Sequence, residues 1–221
     1  MIEDVFRTGK AYTIRETARL ANIPTVTAKR WLYGYTVDGK VRSIPVFGRK
    51  DESPWVSFLE LAELVIVARF RERRVPLDTL RIAHQYAAKE TGERYPFASL
   101  KLAKFGPHVL HQFAQANLDK PSLVVLDRNG QYMLPGIVAE EIKHFEHDVE
   151  DELAQRWFPL GPDVPLVVDP HYAGGQPTIK GRGVTLAILL RRWKAGEKIE
   201  SIAENYRLDP ALVEDVLRLA A

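Results

Sequence analysis

The chain contains no cysteine. That absence excludes disulfides, thiolate metal sites and a cysteine nucleophile. Long apolar runs are missing too: the longest compact one, Leu64 to Ala68, falls far short of the ~20 residues that span a bilayer. The opening Met-Ile-Glu-Asp is acidic and lacks the basic-then-apolar form of a secretory signal, so a cytoplasmic location is expected. Net charge is small, +2 over 221 residues, but its distribution is uneven. Residues 1–50 hold ten Lys or Arg against four Asp or Glu, whereas residues 136–168 hold two against eight. A polyanion should therefore meet the N-terminal end.

What is present begins with Thr13–Trp31, TIRETARLANIPTVTAKRW. Thr13 with Glu16 forms a capping box, which satisfies two orphaned N–H groups at a helix start. Ile14, Thr17, Ala18 and Ala21 then recur at helical spacing, and the small Ala18 admits a second helix at close range. Asn22 tolerates the left-handed conformation a reversal needs. Ile23 enters the core, Pro24 suits an early helical position, and Ala28 with Trp31 forms the buried face of the second helix. Its outer face carries Thr25, Thr27, Lys29 and Arg30 and no acid. A basic, hydroxyl-bearing helix held on a scaffold helix meets the requirement for reading a major groove. Packing without DNA would produce the same apolar positions.

Asp38-Gly39, between Tyr35–Val37 and Lys40–Arg42, is a two-residue hairpin signal. A hairpin directly after a recognition helix reads as a wing, whose Lys40, Arg42, Arg49 and Lys50 could reach phosphates. Ser57 with Glu60 opens a helix to about Arg73, with Leu59, Leu61, Leu64, Val65 and Ala68 facing inward. Val75-Pro76-Leu77 breaks it, and another helix follows from about Asp78 to Ala88, stopped by Gly92. On Thr13–Trp31, the wing, Ser57–Leu61 and Val75-Pro76-Leu77, this segment resembles a MerR-type winged helix-turn-helix domain. It departs from that family after Gly92, where no long heptad helix follows to form a dimerisation arm.

Texture changes at Tyr95-Pro96-Phe97. Leu123–Asp127 and Gln131–Leu134 read as a hairpin, Val109–Phe113 as a strand or a helix, and Ile137–Leu153 as an acidic amphipathic helix. Trp157–Leu160 and Leu166–Val168 read as buried extended pieces. Three helices close the chain: from about Thr185 to Lys194, from Ile199 to Tyr206, and from Pro210 with Asp209 as N-cap. Ala203, Leu208, Val213 and Val216 repeat the spacing of Ala18, Ile23, Ala28 and Trp31. This second helix-turn-helix skeleton carries Glu214 and Asp215 on its last helix, and phosphate repels acids there. It reads as a protein-binding scaffold.

Asp169-Pro170 and the loop Gly175-Gln176-Pro177-Thr178-Ile179-Lys180-Gly181-Arg182-Gly183-Val184, followed by three helices, closely resemble the antitoxin-like family catalogued as domain of unknown function four-three-three. Tyr95–Ala98 and Trp157–Leu160 resemble linking segments of its MerR-headed members. The resemblance implies a VapB-like antitoxin that neutralises a PIN-type ribonuclease toxin and represses its own operon. PIN nucleases hold divalent metal in a carboxylate cluster, where Lys180 or Arg182 could stand in place of the metal.

No catalytic constellation emerges. The glycine loop fails both G-x-x-x-x-G-K-[ST] and G-x-G-x-x-G, and no G-x-S-x-G elbow occurs. Glu140, Glu141, His144 and His147 share helical spacing, but carboxylate-bridged metal sites need a second Glu-x-x-His. Together these readings predict a mainly α protein with a small antiparallel β component, needing no cofactor. The expected parts are a winged helix-turn-helix domain over 1–92, a linking segment with a small sheet over 93–168, and a three-helix domain over 169–221. Operator DNA, a PIN-type toxin and a second copy of the chain are the expected partners. A dimer is expected because one short recognition helix reads few base pairs. The rival readings are a stand-alone transcription regulator and an interaction module that binds no DNA.

Overall fold

The computed structural model describes residues 4–47, 53–102 and 133–220. The chain forms two compact units, one of Met1–Ile142 with His147–Ala154, the other of Lys143–Glu146 with Gln155–Ala221. It is mixed α and β, with helices predominating and, among the described residues, strands only in two-stranded sheets.

In the first unit, a short helix α1 (Val5–Thr8) leads into β1 (Lys10–Thr13), α2 (Ile14–Leu20) and α3 (Thr25–Tyr33). The wing strands β2 (Tyr35–Val37) and β3 (Lys40–Ser43) follow, then β4 (Trp55–Ser57), α4 (Phe58–Glu72) and α5 (Leu77–Thr91). β1 pairs antiparallel with β4. Both predicted capping boxes form, Thr13 with Glu16 and Ser57 with Glu60. Helix α4 is the centre of this unit. From Phe58 to Ala68 every side chain is buried, the pattern of a helix covered on all sides. Its two buried acids are satisfied: Glu60 by its cap and by Lys10, Glu63 by His84 and the backbone N–H of Phe97. Arg7, also buried, reaches across 144 residues of sequence to bind Asp151 through both carboxylate oxygens. Burial alone would raise the Asp151 pKa, but the Arg7 guanidinium and the Leu153 N–H outweigh it, holding the carboxylate below its ordinary range.

The predicted acidic helix over Ile137–Leu153 is not one element. α6 (Met133–Glu141) ends at Glu141, a 3-10 turn covers Ile142–His144, and β5 (Phe145–His147) follows. The acids from Asp148 to Glu152 form a turn, with Asp148 accepting backbone N–H groups from Glu150 and Asp151. Asx-type bonding competes with helix continuation there. The four residues Glu140, Glu141, His144 and His147 therefore do not share a helix face. Glu140 and Glu141 instead meet Arg73 and Arg69. Met133 and Leu134, expected in the second strand of a hairpin, start α6. The other readings between 103 and 132, Leu123–Asp127 and Val109–Phe113, lie outside the described residues.

The chain passes between units three times, after Ile142, Glu146 and Ala154, the last two within β5 and its partner β6 (Ala154–Trp157). In the second unit β7 (Leu166–Val167) pairs antiparallel with β8 (Thr178–Ile179). Then come α7 (Leu186–Lys194), α8 (Ile199–Tyr206) and α9 (Pro210–Ala220), within two residues of the predicted starts. Leu166, Ile179, Leu189, Ile202, Ala203, Val213 and Val216 form their common core.

Candidate nucleic-acid interface and the glycine loop

The α2–α3 pair is set by its reversal. Asn22 takes φ 53°, and the Ile23 N–H donates to the Ala18 carbonyl at 2.9 Å, the six-to-one bond of a Schellman turn. Thr17, Ala18, Ala21, Ala28, Trp31 and Leu32 are buried, so the pair is held from within. Pro24 sits one place earlier than expected, at the N-cap of α3.

That packing leaves Thr25, Lys29 and Arg30 exposed and Thr27 half-buried. Arg30 lies over the ring of Tyr35, 4.7 Å from its centroid, which ties the end of α3 to the wing. Exposed on α2, one turn apart, are Arg15 and Arg19. They are not among the residues singled out from the sequence; their i,i+4 spacing on the polar face of the first helix is the signal that marks them. Among the described residues neither arginine nor Lys29 has an ion-pair partner. A set of uncompensated cations on one helix pair is an electrostatic surface for a polyanion.

The wing is a β-hairpin turned by Asp38 (φ 50°) and Gly39 (φ 72°), both left-handed as a type I′ turn requires. Lys40 and Arg42 are exposed on it; Arg49 and Lys50 lie outside the described residues. Its base is clamped. Arg81, buried on α5, donates to the Ile44 carbonyl at 3.0 Å and to the Ser43 hydroxyl, and pairs with Asp78. Gly34, at φ 72°, starts the wing where a Cβ would stand 2.3 Å from the Ser43 carbonyl oxygen. Only glycine fits such an approach.

In the second unit the glycine loop is a set of tight turns rather than a phosphate cradle. Lys180 donates its N–H to the Pro165 carbonyl at 2.7 Å, and Arg182 to Ile179 at 3.1 Å. Gly181 and Gly183 take φ 77° and 66°. Lys180 and Arg182 are both exposed; the Lys180 ammonium also lies over Phe158, 5.6 Å from the ring centroid. Asp169, ahead of the loop, accepts Arg156 Nε at 2.6 Å and the His171 N–H at 2.9 Å. Burial raises its pKa, but these donors more than reverse that and hold it below the ordinary carboxylate range. Among the described residues no group of three or more His, Asp or Glu is placed to hold a metal ion. No described helix is long and apolar enough to cross a membrane.

A helix pair with a left-handed turn, a basic outer surface and a clamped hairpin behind it is a helix-turn-helix with a wing. Residues 10–84 match the family model described as "Putative DNA-binding HTH domain", and residues 166–220 match that described as "Protein of unknown function (DUF433)". The chain thus joins a helix-turn-helix domain to a DUF433 domain. The chain is similar to other proteins over almost their whole length. "Putative antitoxin VapB45" of Mycobacterium tuberculosis (strain ATCC 25618 / H37Rv) is 26% identical over 220 residues, covering 93% of this chain and 92% of its own. "Uncharacterized protein Rv2308" of the same strain is 27% identical over 213 residues, covering 94% and 89%. The crystal structure of Rv2018 from Mycobacterium tuberculosis superposes with a TM-score of 0.76 at 26% identity, covering 96% of this chain and 99% of that one.

Proposed function

We propose that this protein is the antitoxin of a type II toxin–antitoxin pair, which binds operator DNA through its first unit and neutralises a PIN-type ribonuclease through its second. The observation that carries the DNA half is the exposed, uncompensated basic surface of α2–α3. Lys29 and Arg30 read base edges, Thr25 and Thr27 support that register, and Lys40, Arg42, Arg49 and Lys50 on and after the wing contact phosphates. The MerR-like form of the first unit and its binding as a dimer belong to the same reading. In the second unit a turn that fixes the backbone at Gly181 and Gly183 presents Arg182 at low ordering cost. Arg182 and Lys180 then supply positive charge to the carboxylates that hold metal in the toxin. The similarity to a protein named as an antitoxin supports this half.

Two experiments test the reading separately. In a gel shift with the protein's own promoter, binding is expected at low salt and weaker at high salt; no shift at either removes the DNA half. Co-expression with a neighbouring small nuclease gene is expected to restore growth and yield a co-purifying complex. Rescue that survives R182A together with K180A removes the assigned contact.

A further inference from the structure

The two helix-turn-helix skeletons of this chain match position by position at a fixed offset of 185 residues. Asn22 and Arg207 take φ 53° and 54°. Ile23 N–H to Ala18 O is 2.9 Å, and Leu208 N–H to Ala203 O is 2.8 Å; Ala28 to Pro24 and Val213 to Asp209 are both 3.1 Å. Buried Ala18, Ala28 and Trp31 correspond to buried Ala203, Val213 and Val216. On this common frame every exposed charge named on α2 and α3 changes sign. Arg15 corresponds to Glu200, Arg19 to Glu204, Lys29 to Glu214 and Arg30 to Asp215, and all eight are exposed. Glu214 keeps an i,i+4 contact with Arg218, while Glu200, Glu204 and Asp215 have no ion-pair partner among the described residues.

We propose that the α8–α9 surface of one copy docks on the α2–α3 surface of a second copy. Acidity alone does not lead there; the complementarity of two surfaces built on one backbone does. Like-shaped faces set against each other about a two-fold axis bring members of the same set of positions together. Each of the four cations on one face attracts each of the four carboxylates on the other, and these eight outnumber the exposed Arg207 and Arg218 of α8–α9, of which Arg218 is already engaged by Glu214. Two short helices a side make a small interface, so the contact is weak, fast and salt-sensitive. It is a protein–protein contact and does not depend on the DNA reading. Where that reading holds, a chain engaged in this way has its recognition surface covered by a charge mimic of DNA.

Sedimentation velocity of the full chain tests this at 50 and 500 mM salt, with circular dichroism confirming that each variant is folded. Self-association is expected at 50 mM, at least tenfold weaker at 500 mM. The variant E200Q/E204Q/E214Q/D215N is expected to lose at least tenfold at 50 mM, and R15E/R19E/K29E/R30E to lose as much. The full charge swap, which adds E200K/E204K/E214K/D215K to the second variant, is expected to regain association. A monomer at 50 mM overturns the proposal. So does association that ignores salt and the Gln/Asn variant, or a folded charge-swapped chain that stays apart.

Discussion

The strongest quantitative consequence of the α2–α3 surface is the salt dependence of DNA binding. Arg15, Arg19, Lys29, Arg30, Lys40 and Arg42 are all exposed in the first unit. If each neutralises one phosphate, log K falls against log salt with a slope of about 0.9 per contact, or roughly 5 for these cations in one protomer. Between 50 and 200 mM salt that slope costs about a thousandfold in affinity. The variants R15A/R19A and K29A/R30A should each lower the slope by about 2. They should differ in a second respect. In the proposed reading Lys29 and Arg30 touch base edges, where each good contact is worth about 1–3 kcal/mol of discrimination. K29A/R30A should therefore also erase the preference for promoter over scrambled DNA, and R15A/R19A should leave that preference intact. Fluorescence anisotropy with both duplexes at four salt concentrations reads slope and preference together. A folded K29A/R30A protein with the wild-type slope would refute the assignment, as would binding that does not respond to salt.

Arg81→Ala removes the donors that hold Ile44 and Ser43 at the wing base; DNA affinity should fall while the melting temperature shifts by only a few degrees, a split that calorimetry and anisotropy can read. Gly34→Ala should cost about 1–3 kcal/mol in urea unfolding, since it forces a side chain into a left-handed conformation against a carbonyl. Ala18→Leu, at a site 1% exposed, should cost a similar amount by overpacking the α2–α3 contact. Asp151 and Asp169 both have folded pKa values below the unfolded one. Their contribution is complete above the unfolded value near 4 and is lost as pH falls through the lower folded value. Asp151→Asn should accordingly flatten the acid limb of a stability–pH curve without altering its neutral shape; an unchanged acid limb would show that Arg7 does not depend on this carboxylate.

Where local chemistry decides an element, it could be read in advance. Thr13-x-x-Glu16 and Ser57-x-x-Glu60 each fix a helix start with two hydrogen bonds inside four residues, and both form. Asp38-Gly39 fixes its turn because few residue pairs accept two left-handed positions in succession. The stretch from Ile137 to Leu153 was misread because its spacing of Ile137, Glu141 and His144 is equally consistent with a helix that stops early. Asp148 offers the backbone a local turn instead, and the acids find distant partners: Arg69 and Arg73 on α4 meet Glu140 and Glu141, and Arg7 takes Asp151. The Arg81 clamp was equally hidden, since an arginine about one turn into a helix gives no sign that its guanidinium meets a hairpin 37 residues earlier. Within the candidate interface, Lys29, Arg30, Lys40 and Arg42 stand exposed where the pattern placed them. Thr27 is half turned into the packing, and Arg15 and Arg19 add to the surface.

The repeat at 185 residues separates what the backbone of a helix-turn-helix requires from what its surface does. The backbone requires apolar residues at the four inward positions and one left-handed residue at the turn, and it accepts either Asn22 or Arg207 there. Those demands leave the outward positions open, so the same frame carries Arg, Arg, Lys and Arg in one place and Glu, Glu, Glu and Asp in the other. A polyanion cannot bind both surfaces, because each carboxylate in place of a cation replaces an attraction to phosphate with a repulsion of like size. A match to the fold therefore cannot by itself assign DNA binding to the second unit, and the sign of the four charges exposed on α8–α9 argues for a cationic partner at that face.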